Sequence, residues 1–179
     1  QNAIRQAVCD IVGVQFRNMA TVGGSIFGRF GFSDVLTMFL TLDCDVELFQ
    51  GGIVSLEQFS QMKPDNDILI RIIVKKTPGQ FVYDSMRNTR TDFPVIACGV
   101  SCVNEEYRFS IGARPGKALL LRDEEHILKD GLTENNIRNM SKWVAAHTPT
   151  DSNLRGSAKY RTHLIDVFVQ RNLIQLRGE

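Results

Sequence analysis

The chain has 179 residues and a formal net charge of +1, with 43% apolar and 23% charged residues. That is enough material for one or two small domains, each with its own core. The near-neutral balance gives no reason to expect nucleic acid or an anionic membrane as a partner, and no apolar run is long enough to span a bilayer.

Ile4, Val8, Ile11 and Val12 recur at near-helical spacing and predict a helix over about residues 2–13. The chain opens without Met inside this segment and reads as a fragment or as a natural chain whose first part was lost; no secretory signal peptide is visible, since no cationic stretch precedes an apolar one. Four glycines follow between residues 23 and 31: Gly23, Gly24, Gly28 and Gly31. Glycine admits positive φ and lets other groups approach the backbone closely. Turned backbone of this kind forms nests of N–H donors that suit a phosphate, and a helix start adds to the effect. A tight connection with no ligand explains the same glycines at least as well. Ser33-Asp34 and the run from Val35 to Leu42 predict a helix over about 33–42.

Strands are predicted at Asp45–Phe49, Gly52–Ser55 and Ile68–Val74, the last rich in β-branched residues. Leu56–Phe59 reads as a short helical turn. Thr77-Pro78-Gly79 marks a boundary, and Phe81–Tyr83 begins a second part. Phe93–Val103 reads as an apolar entry followed by a strand, Asn104–Glu106 as a hairpin turn, and Tyr107–Gly112 as a returning half-buried strand. A strand at Ala118–Arg122 follows. Thr133 is placed to cap one helix, and a last helix runs from near Ser157 toward Leu176. In that helix Leu164, Phe168 and Leu173 form the apolar stripe and the arginines face out. Strand runs with segregated helices point to an α+β fold rather than a doubly wound parallel sheet.

The four cysteines, Cys9, Cys44, Cys98 and Cys102, form no Cys-x-x-Cys pair, and there are three histidines, His126, His147 and His163. This argues against structural zinc and iron–sulfur ligation within the chain. Buried reduced thiols are expected, as in a cytoplasmic protein. His147 and His163 have no nucleophile motif beside them and read as surface or helix-end residues.

Three separated motifs share one resemblance. Arg17-Asn18-Met19-Ala20-Thr21-Val22-Gly23-Gly24, then Ser33-Asp34, then Gly156-Ser157-Ala158-Lys159-Tyr160-Arg161 resemble the FAD-binding (medium) subunit of molybdenum hydroxylases, the xanthine dehydrogenase and carbon monoxide dehydrogenase flavoprotein family. Arg90-Thr91-Asp92-Phe93-Pro94 resembles the start of that family's C-terminal domain. The resemblance implies the second subdomain of a vanillyl-alcohol-oxidase-type FAD domain over 1–79. A small C-terminal α/β domain, an antiparallel sheet plus helices, would follow over 80–179. The first FAD subdomain has no counterpart in this sequence.

Carried over by position, the resemblance places Thr21, Val22, Gly23, Gly24 and Ser25 on the FAD diphosphate and ribityl region. Asp34 would meet a ribose hydroxyl, its alternative role being a first-turn helix charge. Leu69 would lie beside the isoalloxazine ring, and Ile11 at a cofactor-packing position. A family lysine near the flavin falls by register near Ser85, with Arg87 as the nearby cation. The Gly156–Arg161 motif is expected to be structural: Ser157 capping, Tyr160 packing beneath the sheet, Arg161 tying a loop. The implied function is electron transfer, from iron–sulfur clusters on a 2Fe-2S subunit, fed by a molybdopterin-binding subunit, to FAD and then to NAD or another acceptor. The alternative is a non-catalytic assembly fragment that binds partner subunits without FAD.

Overall fold

The structure, a computed structural model, describes residues 2–178. Four short helices come first: α1 (Ala3–Cys9), α2 (Val14–Met19), α3 (Val22–Phe27) and α4 (Asp34–Phe39). Strands β1 (Cys44–Leu48) and β2 (Gly52–Ser55), helix α5 (Leu56–Gln61) and strand β3 (Leu69–Val74) complete the first part. The second holds strands β4 (Gln80–Met86), β5 (Ile96–Val103), β6 (Glu106–Gly112) and β7 (Leu119–Arg122), then helices α6 (Glu134–Ala146) and α7 (Ala158–Arg177). Both sheets are antiparallel, in the orders β2-β1-β3 and β4-β5-β6-β7. The architecture is the α+β arrangement expected from the sequence.

The first helix is shorter than its periodicity implies. It ends at Cys9, and Val12 takes φ 46° before Gly13 starts α2. The apolar Ile11 and Val12 thereby leave the helix. The glycine segment also departs from expectation. Residues Val22–Phe27 are helical, Thr21 caps them by accepting from the Gly24 N–H, and none of Gly23, Gly24, Gly28 or Gly31 has positive φ. Close approach is what Gly31 provides: a Cβ there would lie 1.7 Å from the Gly116 carbonyl oxygen.

The second sheet is covered on both faces. Val82, Cys98, Val100, Phe109 and Ile111 pack against α6 and α7 through Met140, Val144, Ile165 and Val169. On the opposite face Tyr83 and Ala97 meet Met38 of α4 and Ala3 and Ala7 of α1. The alternation in β6 therefore does not separate core from water. Ser110 and Gly112 are small because α4 lies over them, and a Cβ at Gly112 would come 2.1 Å from Thr37 Oγ1. Ser101 Oγ donates to the Thr41 carbonyl at 2.8 Å, a further tie between β5 and the end of α4.

Strand parity fixes what reaches α4. Alternate residues of a strand share a face, so Tyr83 faces α4, and Arg87, one residue past the end of β4, follows the same parity. The first part keeps its own core around Ile26, Leu36, Val46, Leu48, Leu56 and Phe59.

Ser157 caps α7 and Thr133 caps α6, each side chain accepting a backbone N–H three residues on. The outward-facing arginines of α7 have one exception. Arg161 is fully buried, with Nε donating to the Val95 carbonyl at 2.8 Å, Nη1 to the Asp151 and Gly156 carbonyls, and Nη2 to Asn153 Oδ1 at 2.6 Å. Tyr160 does not pack beneath the sheet; it is 38% exposed, and its neighbour Arg161 takes the buried position. Cys44 and Cys98 are buried, Cys102 is half-buried, and Cys9 is exposed; all four are free thiols.

The Arg161 fork predicts an outcome. Arg161→Lys leaves buried carbonyls without donors, because one ammonium cannot span four acceptors. The loss should be about 3 kcal/mol in urea unfolding, the scale of a buried charged hydrogen-bond network. An unchanged midpoint contradicts the tying role.

Candidate functional site

A cavity of about 370 Å³ opens where α2, α3 and the start of α4 face the segment after β4. Its walls are largely apolar: Ile11, Val12, Phe16, Phe30, Phe32, Val35 and Phe93. Thr21, Gly24, Ser25, Ser33, Asp34, Arg87 and Asp92 contribute the polar rim. The kink that ends α1 turns Ile11 and Val12 into this wall. The helical state of α3 sets Thr21, Gly24 and Ser25 on one side of it, since residues three and four apart share a helix face.

The aromatic wall was not foreseen from the sequence. Phe30 and Phe32 stack with centroids 5.2 Å apart and planes 10° apart, and Phe93 leans on Phe32 at 4.5 Å. These rings stay 57%, 40% and 43% exposed, and Phe16 is 51% exposed. Phenylalanine is read by default as core. The one available signal was Phe30-Gly31-Phe32, a pair of rings around a glycine in a stretch with no strand or helix pattern.

The expected site residues divide into two groups. Thr21, Gly24, Ser25 and Asp34 line the cavity. Val22, Gly23 and Leu69 do not: Leu69 is half-buried against the first core, and a Cβ on Gly23 would touch its Cδ2 at 3.8 Å, so Leu69 supports α3 from behind. The hydroxyls are tethered locally. Thr21 Oγ1 accepts from the Gly24 N–H, which leaves its own proton to donate. Ser25 Oγ donates to the Thr21 carbonyl, and Ser33 Oγ to the Ser25 carbonyl at 3.0 Å.

Asp34 is the first residue of α4 and is buried. Its Oδ1 accepts both from Tyr83 Oη and from Arg87 Nη2, and Arg87 Nη1 donates to the Asp92 carbonyl at 2.6 Å. Burial raises the Asp34 pKa above the usual carboxylate value, outweighing the lowering by Arg87 and Tyr83. Burial and the neighbouring carboxylate also push the Tyr83 phenol up, so it acts here as a donor. Ser85, on β4, does not line the cavity, whereas Arg87 does. The arrangement suits a flat, apolar group that carries oxygen acceptors at one margin. Among the described residues no cluster of His, Cys, Asp and Glu is suited to a metal ion.

The raised Asp34 pKa has a definite sign. A carboxyl that binds its proton more tightly when folded makes folding less favourable as pH rises from the unfolded value of 3.8 through the folded one. Asp34→Asn removes that decline. Measured by urea unfolding from about pH 4 to about pH 7, the variant should gain stability relative to the parent as pH rises. Parallel curves contradict the assignment.

The chain matches the family described as FAD binding domain in molybdopterin dehydrogenase over residues 1–76. It matches the CO dehydrogenase flavoprotein C-terminal domain over residues 81–176. The uncharacterized protein YgfM of Escherichia coli strain K12 is 26% identical over 168 residues, which is 93% of this chain and 62% of that protein. The chain thus spans less than two thirds of this relative's length. Among solved structures, reconstituted CO dehydrogenase from Oligotropha carboxidovorans superposes with TM-score 0.85 at 21% identity, over 98% of this chain and 67% of that one. Quinoline 2-oxidoreductase from Pseudomonas putida 86 gives TM-score 0.76 at 14% identity, over 95% of this chain and 65% of that one. At such identities the superpositions speak for the fold alone. The two sequence matches, consecutive and together taking in nearly all of the chain, place it in the FAD-binding flavoprotein family of the molybdenum hydroxylases.

Proposed function

We propose that this chain holds FAD in an electron-transfer subunit of a molybdenum hydroxylase. In that reading a 2Fe-2S chain and a molybdopterin-binding chain stand upstream, and NAD or another acceptor stands downstream. Its place would be the cytoplasm; among the described residues no helix is long and apolar enough to cross a membrane.

The observation that carries the reading is the cavity. Its volume lies at the low end of the range for small-molecule sites, so it suits one portion of a dinucleotide cofactor. Aromatic rings offer flat contact on the Phe30, Phe32 and Phe93 side. Thr21 offers a hydroxyl proton, and the first turn of α3 leaves the Val22 and Gly23 N–H groups without helical partners. Gly24 keeps the approach open. A Cβ there would already lie 3.1 Å from Thr21 Oγ1, and a larger side chain would extend into the space beside it. These residues fit a flavin nucleotide. When bound, FAD supplies the redox chemistry, while the protein supplies binding, orientation and electrostatics. Thr21, Val22, Gly23, Gly24 and Ser25 would meet the diphosphate and ribityl region, and Asp34 a ribose hydroxyl. Leu69 would act by backing α3.

A second reading is an assembly piece that binds partner chains and holds no flavin. It draws on Met19, Val22, Ile68 and Ile70, apolar residues that remain exposed on and around α3 and β3. Exposed apolar surface of this kind marks contact with another chain.

A visible absorption spectrum separates the two. After incubation with excess FAD and removal of unbound cofactor, the protein should retain flavin absorption, and a colourless, folded protein favours the assembly piece. Gly24→Val should lose the bound flavin while keeping its fold by circular dichroism. Full flavin occupancy in that variant contradicts the placement on α3.

A further inference from the structure

Arg87 lines the cavity with a side chain only 8% exposed. A guanidinium carries five N–H donors in a rigid fork. Two of its nitrogens are committed: Nη2 donates to Asp34 Oδ1 and Nη1 to the Asp92 carbonyl. The third, Nε, is buried and has no partner in the protein. A buried donor of a charged group left without an acceptor is costly, and such orphans call for an explanation.

The surroundings supply one. Phe16, Phe32 and Phe93 line the same cavity and offer no hydrogen-bond acceptor. Asp92 is turned elsewhere, its Oδ1 accepting from Arg155 and from the Phe93 N–H. Asp34 is held by Tyr83 as well as by Arg87, so the guanidinium is clamped from the side of α4. The fork is bonded at two nitrogens, and the third is buried beside the cavity without an acceptor.

We propose that Arg87 is a cofactor-contacting residue whose Nε–H donates to an oxygen of bound FAD, with Asp34 and the Asp92 carbonyl holding the guanidinium in position. The inference rests on the flavin reading above. The acceptor is a flavin carbonyl or a diphosphate oxygen, two groups that offer the same chemistry to an N–H donor.

The test is an FAD titration, followed by flavin fluorescence, of the parent chain and of Arg87→Lys, Arg87→Gln and Tyr83→Phe. Lysine keeps a cation for Asp34 but lacks the fixed third donor. Both Arg87 variants should bind FAD about 10- to 100-fold more weakly, the range for a lost charge-assisted hydrogen bond. Tyr83→Phe removes one donor to Asp34 and leaves Arg87 in place, so its loss of affinity should be smaller than that of either Arg87 variant. Parallel titrations with riboflavin and with ADP identify the acceptor: the loss follows riboflavin for a ring carbonyl and ADP for the diphosphate. The Arg87 Nε–H resonance, assigned through bonds in the parent chain, should be shifted by FAD and protected from exchange with water. This readout stands even where a variant fails to fold. FAD binding that is unaffected by Arg87→Lys, or an Nε–H resonance indifferent to FAD, overturns the inference while leaving the flavin reading intact. A parent chain that binds no FAD overturns both.

Discussion

One buried carboxylate sets the geometry on which the rest depends. Asp34 begins α4 in the first part of the chain, and its partners, Tyr83 and Arg87, come from β4 and the residue beyond its end in the second. A charge withdrawn from water must be paired, and removing one partner of such a pair is severely destabilising. The two parts are therefore held in one register at this point. Gly112 lets α4 lie close against the second sheet, and the Ser101 bond to Thr41 secures its far end. The cavity is a consequence: it forms where α2 and α3, carried along with α4, stand opposite the segment that follows β4.

The pair's contribution is better understood as positioning than as net stability. Burying both charges costs several kcal/mol per ion, roughly offset by their mutual attraction. An apolar pair could satisfy the packing. What an apolar pair would not provide is a guanidinium fixed beside an aromatic wall, with its Nε still unpaired. Arg161 is a useful contrast. It is buried too, but each of its three nitrogens meets a carbonyl or amide oxygen from the loop around Gly156 or the residue before β5. One arginine closes a structural knot; the other keeps one buried nitrogen unpaired beside a cavity.

Much of this was legible in the sequence where a local signal had a single physical cause. The β-branched run Ile68–Val74, the Asn104–Glu106 turn and the caps Thr133 and Ser157 appear in the structure as their chemistry implies. The misreadings arose where one pattern had two causes. Glycines at 23 and 24 suit either a left-handed turn or a tight helix, and the Thr21 hydroxyl, by capping Gly24, selects the helix. The small residues of β6 suit either a solvated face or a helix packed close, and only tertiary contact with α4 decides. For the cavity, the motif residues Thr21, Gly24, Ser25 and Asp34 could be named in advance. The aromatic wall could not, because Phe16, Phe30, Phe32 and Phe93 are far apart or unpatterned in sequence and meet only after folding.

The central claim is that a flavin nucleotide lies along α3 and against the aromatic wall, within reach of Asp34 and Arg87. A crystal structure of the chain grown with FAD tests this most directly. The account predicts cofactor density that starts beside Thr21–Ser25 and extends into the cavity bounded by Phe30, Phe32 and Phe93. Density elsewhere on the chain, or an empty cavity at saturating FAD, contradicts it.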